Sequence, residues 1–233
     1  MYTSFFLSHS VSRIMHCAFC VVLSLSAFAA TDDWAQHTHY AEANRLLEQP
    51  PVAVFMGNSI TEMWNEAHPD FFLLHNYACR GIGGQVSAQM LARFQADVIQ
   101  LQPQVVVIMA GTNDIGLNNG YISPEHILEN IQSMCELAQL HHIQPLLCSV
   151  LPVYEYPWRK ELVEPSQTIL RLNSLLKAYA EQNSIPYIDY YSAMVDDRGG
   201  LPAVYSADGV HPISAGYDLM ESIIVPAISK YLK

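Results

Sequence analysis

The stretch "QVVVIMAGTND", residues 104–114, decides the fold that we predict for this chain. Its first part is a continuous apolar run rich in β-branched residues, and after Gly111 the residues become small and polar. Continuous apolar strands are typical of a parallel sheet that helices cover on both faces. We therefore predict a buried strand over residues 104–111, whose carboxyl end delivers Asn113 and Asp114.

Similar apolar segments lie on both sides of this strand and alternate with helical patterns. The predicted strands are residues 52–56, one strand within 71–79, then 104–111, 143–150 and 185–190. Apolar residues at helical spacing predict helices in residues 32–49, after Ser123, and in residues 169–179 and 220–231, with a kink or an early end at Pro226. This alternation, without internal repeats or a linker, indicates one α/β domain with a five-stranded parallel sheet.

Clusters of small and polar residues follow the predicted strands. They are "GNS" at 57–59, "RGIGGQ" at 80–85, "AGTNDIG" at 110–116 and "SADGVHP" at 206–212. The carboxyl ends of parallel strands lie along one edge of the sheet, which is where α/β proteins bind their ligands. We therefore expect all four clusters to meet at one site.

The side chains in these clusters suit nucleophilic catalysis on an ester. The hydroxyl of Ser59 becomes a good nucleophile when a base removes its proton, and His211 is a residue type suited to that task. Asp208, three residues earlier, can accept the other ring N–H and fix the tautomer. The oxyanion formed by the attack needs donors, and the Ser59 and Gly84 backbone N–H groups and the Asn113 carboxamide are available.

Taken singly, these residues have simpler interpretations. A serine at the start of a helix is commonly an N-cap, and an Asp–His pair could be half of a metal site, although no third ligand is suggested by the spacing. The glycines do not fit a phosphate-binding loop, because no Lys-Ser/Thr pair follows them. The α/β-hydrolase motif Gly-x-Ser-x-Gly fits poorly, because Thr61 stands at the position of its second glycine.

The motifs "GNSIT", "GIGGQ", "GTND" and "DGVHP" resemble, in order, the four signature blocks of the SGNH hydrolases, also called the GDSL esterase/lipase family. The resemblance is strongest for the branch similar to platelet-activating-factor acetylhydrolase subunits and bacterial carbohydrate acetylesterases. It implies Ser59 as the nucleophile, Gly84 and Asn113 as oxyanion donors, and Asp208 and His211 as the other triad members. It also implies a three-layer α/β/α flavodoxin-like fold and no metal cofactor.

The chain departs from the family pattern at two positions. Asn58 stands where the family has the aspartate of Gly-Asp-Ser, and Gln85 occupies a position that is often aspartate. The replaced aspartate at position 58 is not the triad acid, so we expect a change in local hydrogen bonds and intact catalysis. At position 85 we expect an effect on the fine positioning of Gly84.

The amino-terminal segment is typical of an export signal. Arg13 is the only Lys, Arg, Asp or Glu before Asp32, and the apolar run 14–30 ends in the small-x-small pattern Ala27-Phe28-Ala29. The run is shorter than the roughly 20 residues that a membrane-spanning helix needs. We predict a signal peptide over residues 1–30 and an exported domain, periplasmic or secreted, over 31–233, with no stable membrane insertion after cleavage.

Composition narrows the classes of partner. The formal net charge is -11, which argues against nucleic acid, because binding phosphates needs clustered Lys and Arg. There is also no basic amphipathic face for a membrane surface. Three cysteines follow the predicted signal peptide, an odd number that predicts no disulfide framework; we expect Cys79, Cys135 and Cys148 to be small buried hydrophobes.

The loop after the fourth predicted strand, "PVYEYPWRK" at 152–160, carries three aromatic residues. We expect Tyr154, Tyr156 and Trp158 to stack on a sugar ring or to wall an acyl pocket. With the export signal and the lack of long apolar lid segments, they favour a serine esterase that removes small acyl groups, chiefly acetyl, from a small-molecule or glycan ester. Alternatives are a lysophospholipase or thioesterase, acyl transfer to another alcohol, and a non-catalytic carbohydrate-binding domain; the oligomeric state stays open.

Overall fold

The computed structural model describes residues 33–232. The chain divides into Met1–Trp34 and Ala35–Lys233, and every helix and strand described below belongs to the second unit. The predicted signal peptide, residues 1–30, lies outside the described residues. None of the helices within residues 33–232 has the length and apolar character that crossing a membrane would require.

The elements alternate along the chain as the sequence pattern predicts. The strands are β1 (Ala53–Gly57), β2 (Tyr77–Gly81), β3 (Val105–Ile108), β4 (Gln144–Cys148) and β5 (Tyr187–Ile188). The helices are α1 (Ala41–Arg45), α2 (Ser59–Ala67), α3 (Pro69–Leu74), α4 (Ser87–Asp97), α5 (Thr112–Ile115), α6 (Pro124–Leu140), α7 (Pro165–Gln182), α8 (Tyr190–Met194) and α9 (Ser214–Ser229), with a 3₁₀ turn at Ile99–Leu101.

The five strands form one parallel sheet in the order β2-β1-β3-β4-β5, which confirms the predicted flavodoxin-like topology. Gly57, at the end of β1, lies opposite Gly81 at the end of β2, and Met56 lies opposite Ile108 of β3. The carboxyl ends of these three strands are therefore level. The loops that follow them start from the same edge of the sheet.

The sheet divides the core into two layers, because successive side chains of a strand point to opposite faces. Val54 and Met56 of β1 pack with apolar residues of α4, α6 and α7, whereas Ala53 and Phe55 pack with those of α2, α3, α8 and α9. Cys79, Cys135 and Cys148 are free and buried, as expected from the sequence. The predicted three-layer α/β/α architecture is thus confirmed.

Three details differ from the sequence-based expectations. The segment before β2 is the short helix α3, with Pro69 in its first turn and both adjacent phenylalanines buried, so the strand begins only at Tyr77. The helix expected over residues 32–49 is reduced to α1, which buries no side chain and gains little from packing. Helix α9 continues through Pro226 to Ser229, because Ile224 and Ile228 anchor it to the core on both sides of the proline.

Candidate active site

The carboxyl edge of the sheet brings Ser59, His211 and Asp208 into one hydrogen-bonded chain. Ser59 is the first residue of α2, directly after β1, and its Oγ lies 2.9 Å from His211 Nε2. His211 Nδ1 lies 2.7 Å from Asp208 Oδ2. The ring nitrogen that faces the carboxylate carries the proton, so the other nitrogen can accept the proton of the serine hydroxyl.

The loop that carries Asp208 and His211 is tied together by short-range hydrogen bonds. Asp208 Oδ1 accepts the backbone N–H groups of Val210 (2.9 Å) and His211 (2.8 Å). The hydroxyl of Ser206 lies 3.1 Å from Asp208 Oδ1 and 2.8 Å from the His211 carbonyl oxygen, and it accepts the Gly209 N–H at 2.9 Å. The carboxylate is therefore held in place before any substrate arrives.

These contacts decide the charge of Asp208. Partial burial alone would raise the pKa of its carboxyl group, but hydrogen bonds from the His211 ring and from the backbone N–H groups of His211 and Val210 outweigh it and lower the pKa to about 2. The group therefore stays ionised at every pH at which an esterase is commonly assayed.

The lowered pKa predicts how stability depends on pH. Asp208 titrates near 3.8 when unperturbed and at about 2 in the folded chain, so its contribution to the free energy of unfolding is complete above about pH 4 and is lost as the pH falls towards 2. Urea unfolding of the wild type and of Asp208→Asn should thus show an advantage in the free energy of unfolding for the wild type that shrinks as the pH falls from about 5 towards 2. A difference that is constant down to pH 2 would contradict the pKa.

Three hydrogen-bond donors that the sequence assigns to oxyanion binding are available on the segments that follow β1, β2 and β3. Within residues 33–232, the Ser59 and Gly84 backbone N–H groups have no hydrogen-bond acceptor. The carboxamide of Asn113 is buried, and its Nδ2 donates one hydrogen bond to the Gln85 carbonyl oxygen (3.0 Å), which leaves its second N–H available. This set has the composition of an oxyanion hole.

Two glycines make this arrangement possible. Gly84 has a φ of +75°, a conformation that other residues adopt only with strain. A Cβ at Gly57 would lie 2.0 Å from Thr61 Oγ1, so only glycine lets the end of β1 pack so closely against α2. Ser59 lies two residues after Gly57, at the first position of α2.

Several supporting residues were not identified from the sequence. Asn58 caps α2, and its Oδ1 accepts the Ile60 N–H at 3.0 Å, a bond that a carboxylate could make equally well. Asn118 donates from Nδ2 to the Gly84 carbonyl oxygen (3.2 Å) and accepts from Trp158 Nε1 (3.2 Å). The pattern Ser-x-Asp-Gly at 206–209 could have indicated the role of Ser206, because such segments form side-chain turns.

The aromatic loop is divided between the rim and the core. Tyr154 is 53% exposed, and Trp158 is 42% exposed with its ring centroid 6.2 Å from that of His211. Tyr156 is 0% exposed and its hydroxyl donates to the Thr112 carbonyl oxygen (2.9 Å), so the expectation that it contacts substrate is wrong. It supports the Asn113 loop from within, because a buried tyrosine hydroxyl needs a fixed partner.

One cavity borders the Asp208 loop, a second borders the residues that follow Asn113, and a third lies at the opposite edge of the sheet. One of about 440 Å³ borders Asp208 and Gly209 and is lined by Tyr154, Lys160 and Arg198. A second, of about 290 Å³, is mainly apolar and begins at Ile115 and Leu117. A larger one of about 670 Å³ borders Gln104 and Gln144, which adjoin the amino ends of β3 and β4, so it lies away from the triad.

One further cluster contains potential metal ligands. Within residues 33–232, ligand atoms of His68, Asp218 and Glu221 lie within 4.8 Å of one another. His68 Nδ1 already lies 2.7 Å from Glu221 Oε1, which also accepts from Trp64 Nε1 at 2.9 Å. The side chains of Trp64 and His68 thus both contact Glu221 and link α2 and the residue that follows it to α9. Trp64 is buried in this contact.

Comparison with known proteins identifies the type of domain. Residues 55–219 match the GDSL-like lipase/acylhydrolase family. The crystal structure of a GDSL-like lipase from Bacteroides thetaiotaomicron is 47% identical and superimposes with a TM-score of 0.84, covering 86% of this chain and 100% of that one.

Two more distant relatives align over part of their length. One is named uncharacterized lipoprotein YqeF of Bacillus subtilis, 26% identical over 137 residues, which are 52% of this chain and 56% of that protein. The other is Esterase TesA of Pseudomonas aeruginosa, 27% identical over 152 residues, which are 65% of this chain and 68% of that protein. The chain therefore spans little more than half of the first relative.

Proposed function

This chain belongs to the GDSL-like lipase/acylhydrolase family, and on that premise we propose that it is an exported serine esterase that hydrolyses small acyl esters, chiefly acetyl esters of carbohydrates. The observation that carries the proposal is the continuous hydrogen-bonded chain from Ser59 Oγ through His211 to Asp208. A hydroxyl placed 2.9 Å from an imidazole that is itself oriented by a carboxylate is the arrangement that nucleophilic acyl transfer requires.

In the first half of the reaction, Ser59 Oγ forms a bond to the ester carbonyl carbon while His211 Nε2 takes the hydroxyl proton. The resulting imidazolium is stabilised by Asp208, which stays a carboxylate. The bond to the alcohol oxygen then breaks, and His211 gives the same proton to the departing alcohol. The acyl group is left esterified to Ser59.

In the second half, His211 Nε2 removes a proton from a water molecule as the water oxygen attacks the acyl carbon. The bond from that carbon to Ser59 Oγ breaks, and the proton on His211 returns to the serine. The products are the carboxylic acid and a regenerated enzyme. Both tetrahedral intermediates carry a negative oxygen, which the N–H groups of Ser59 and Gly84 and the carboxamide of Asn113 would bind.

The cavity beside Asp208 supports a carbohydrate as the alcohol part of the ester. Its lining combines an exposed aromatic ring with charged groups, and the Arg198 guanidinium lies 5.4 Å from the centroid of the Tyr154 ring. An aromatic face beside several donors and acceptors suits a polyhydroxylated ring. Export is supported by the predicted signal peptide and by the name of the lipoprotein relative.

A second candidate function, a lysophospholipase or thioesterase, is favoured by the apolar groove that begins at Ile115 and Leu117. That groove starts two residues after Asn113, and its lining includes Ile115, Leu117, Tyr121 and Val163. It could hold an acyl chain longer than acetyl. The two candidates therefore predict opposite dependences on the length of the acyl chain.

Two rim variants separate these functions. With p-nitrophenyl esters of rising chain length, we expect kcat/KM to fall sharply beyond short chains. With an acetylated oligosaccharide, Tyr154→Ala should raise KM by about 3- to 10-fold, because it removes the free energy of about one aromatic contact. Tyr121 is a matched exposed tyrosine in the apolar groove, so Tyr121→Ala should leave KM for this substrate unchanged. A maximum at long chains together with an effect of Tyr121→Ala alone would support the lipid or thioester candidate instead.

A further inference from the structure

A buried arginine joins the chain segments that carry two of the three proposed oxyanion donors, Ser59 and Gly84. Arg93, on α4, is 0% exposed, and its Nη2 donates to the carbonyl oxygens of Gly57 (3.1 Å) and Arg80 (2.8 Å). Its Nε donates to Gln85 Oε1 at 2.7 Å. Gly57 lies two residues before Ser59, and Gln85 directly follows Gly84. The guanidinium therefore contacts the neighbours of two donors.

Gln85 continues this network to the third donor. Its side chain is 1% exposed and fixed at both ends, because Oε1 accepts from Arg93 and Nε2 donates to the Ala35 carbonyl oxygen at 2.9 Å. Its own carbonyl oxygen accepts the Asn113 Nδ2 hydrogen bond at 3.0 Å. A peptide group anchored in this way holds the Asn113 carboxamide on one side and the Gly84 peptide on the other.

The charge of Arg93 is balanced within the same network. Arg93 Nη1 donates to Asp97 Oδ2 at 2.9 Å, and Asp97 Oδ1 accepts from Asn44 Nδ2 at 2.8 Å. A buried ion pair by itself gives little net stability, because both charges lose their hydration. The guanidinium group is planar and its N–H donors have a fixed geometry, however, so it defines the relative positions of the carbonyl groups that it binds.

From these contacts we propose that Gln85, held by Arg93, is a positioning residue that orients Asn113 and Gly84 in the oxyanion hole. The inference rests on the proposed function. It also gives a reason for the departure from the family pattern at position 85. A carboxamide both accepts from Arg93 and donates to the Ala35 carbonyl oxygen, whereas an aspartate side chain at this position has no donor when ionised.

The test is the variant Gln85→Met, which keeps the length of the side chain and removes both of its hydrogen bonds. We expect kcat for p-nitrophenyl acetate to fall by about 10- to 100-fold, less than the loss typical of a deleted oxyanion donor, with KM changed by less than about 3-fold. Titration of active sites with a fluorophosphonate gives kcat per functional enzyme. A wild-type kcat per active site would overturn the proposal.

A double-mutant cycle with Asn113→Ala shows whether Gln85 acts through the carboxamide. If it does, Gln85→Met should lower kcat by clearly less in the Asn113→Ala background than in the wild type, because residues that act through one another are not additive. The loss that remains in that background is the part that acts through Gly84. Full multiplication of the two losses would contradict the proposed route and indicate a general structural effect.

Ile131→Ala is the control for lost stability alone, since Ile131 is a buried core residue of α6 that makes none of these contacts. Amide hydrogen exchange over residues 82–86 and 112–118 tests the positioning without relying on turnover. Exchange should be faster in Gln85→Met than in Ile131→Ala; equal exchange would overturn the inference even if the wild type proved to be no esterase. Wild-type turnover that Ser59→Ala does not reduce would instead refute the proposed function alone.

Discussion

Ser59→Ala is expected to lower kcat for p-nitrophenyl acetate by about 10⁴- to 10⁶-fold, the loss seen when a triad nucleophile is deleted. The methyl group cannot form the bond to the acyl carbon, and His211 Nε2 loses the hydroxyl that lies 2.9 Å away. The remaining donors of the proposed oxyanion hole would still polarise a bound ester, so a small residual rate is expected. Initial rates across a range of substrate concentrations provide the measurement.

The control for this variant is Ser133→Ala on α6. Ser133 is a half-buried serine whose hydroxyl donates to the Glu129 carbonyl oxygen, so the substitution removes the same atom on a helix that carries none of the proposed catalytic residues. Ser133→Ala should keep the wild-type kcat. Ser59 is the first residue of α2 and Asn58 supplies the cap, so Ser59→Ala should unfold at the wild-type temperature. Undiminished hydrolysis by folded Ser59→Ala would exclude the proposed nucleophile.

Asp208→Asn is expected to lower kcat by about 10³- to 10⁴-fold while leaving the fold intact. A carboxamide at position 208 can present its N–H to His211 Nδ1, and this would place the ring proton on Nε2, where it faces Ser59 and prevents proton acceptance. The effect should fall on kcat rather than on KM, since Asp208 reaches the reacting atoms only through His211.

The matched carboxylate-to-carboxamide change is Asp189→Asn. Asp189 caps α8 through hydrogen bonds to the backbone N–H and hydroxyl of Ser192, and it makes no contact with the triad. It should retain wild-type activity. If Asp208→Asn and Asp189→Asn were equally active, Asp208 would have no part in orienting the imidazole.

Much of the fold could be predicted because each strand has a distinctive local pattern. The continuous apolar run that forms β3 is compatible with little other than a buried strand. The positions of the polar clusters after β1, β2 and β3 then follow from where those strands end. The second strand can be located from the sequence only within residues 71–79, because Phe71 and Phe72 are equally compatible with a buried strand and a buried helix. Periodicity cannot separate the two over so short a segment.

The triad residues could be proposed from the sequence because the loops that follow parallel strands all lie at the same edge of the sheet. Residues that follow different strands can therefore be expected to lie close together. The network around Gln85 could not be predicted in this way. Its contacts join Ala35, Gly57, Arg93 and Asn113, which lie far apart in the chain, and an arginine among polar helix residues resembles a solvent-exposed group. The sequence also could not separate the buried Tyr156 from the exposed Tyr154 and Trp158, since an irregular loop has no periodicity that divides core from surface.

The proposed mechanism requires that Ser59 becomes covalently acylated, and mass spectrometry after reaction with a fluorophosphonate tests this most directly. We predict a single adduct on the peptide that contains Ser59, no adduct in Ser59→Ala, and strongly slowed labelling in His211→Ala, whose serine lacks its base. An adduct on a different residue, or ester hydrolysis by Ser59→Ala protein that the reagent does not label, would contradict Ser59 as the nucleophile.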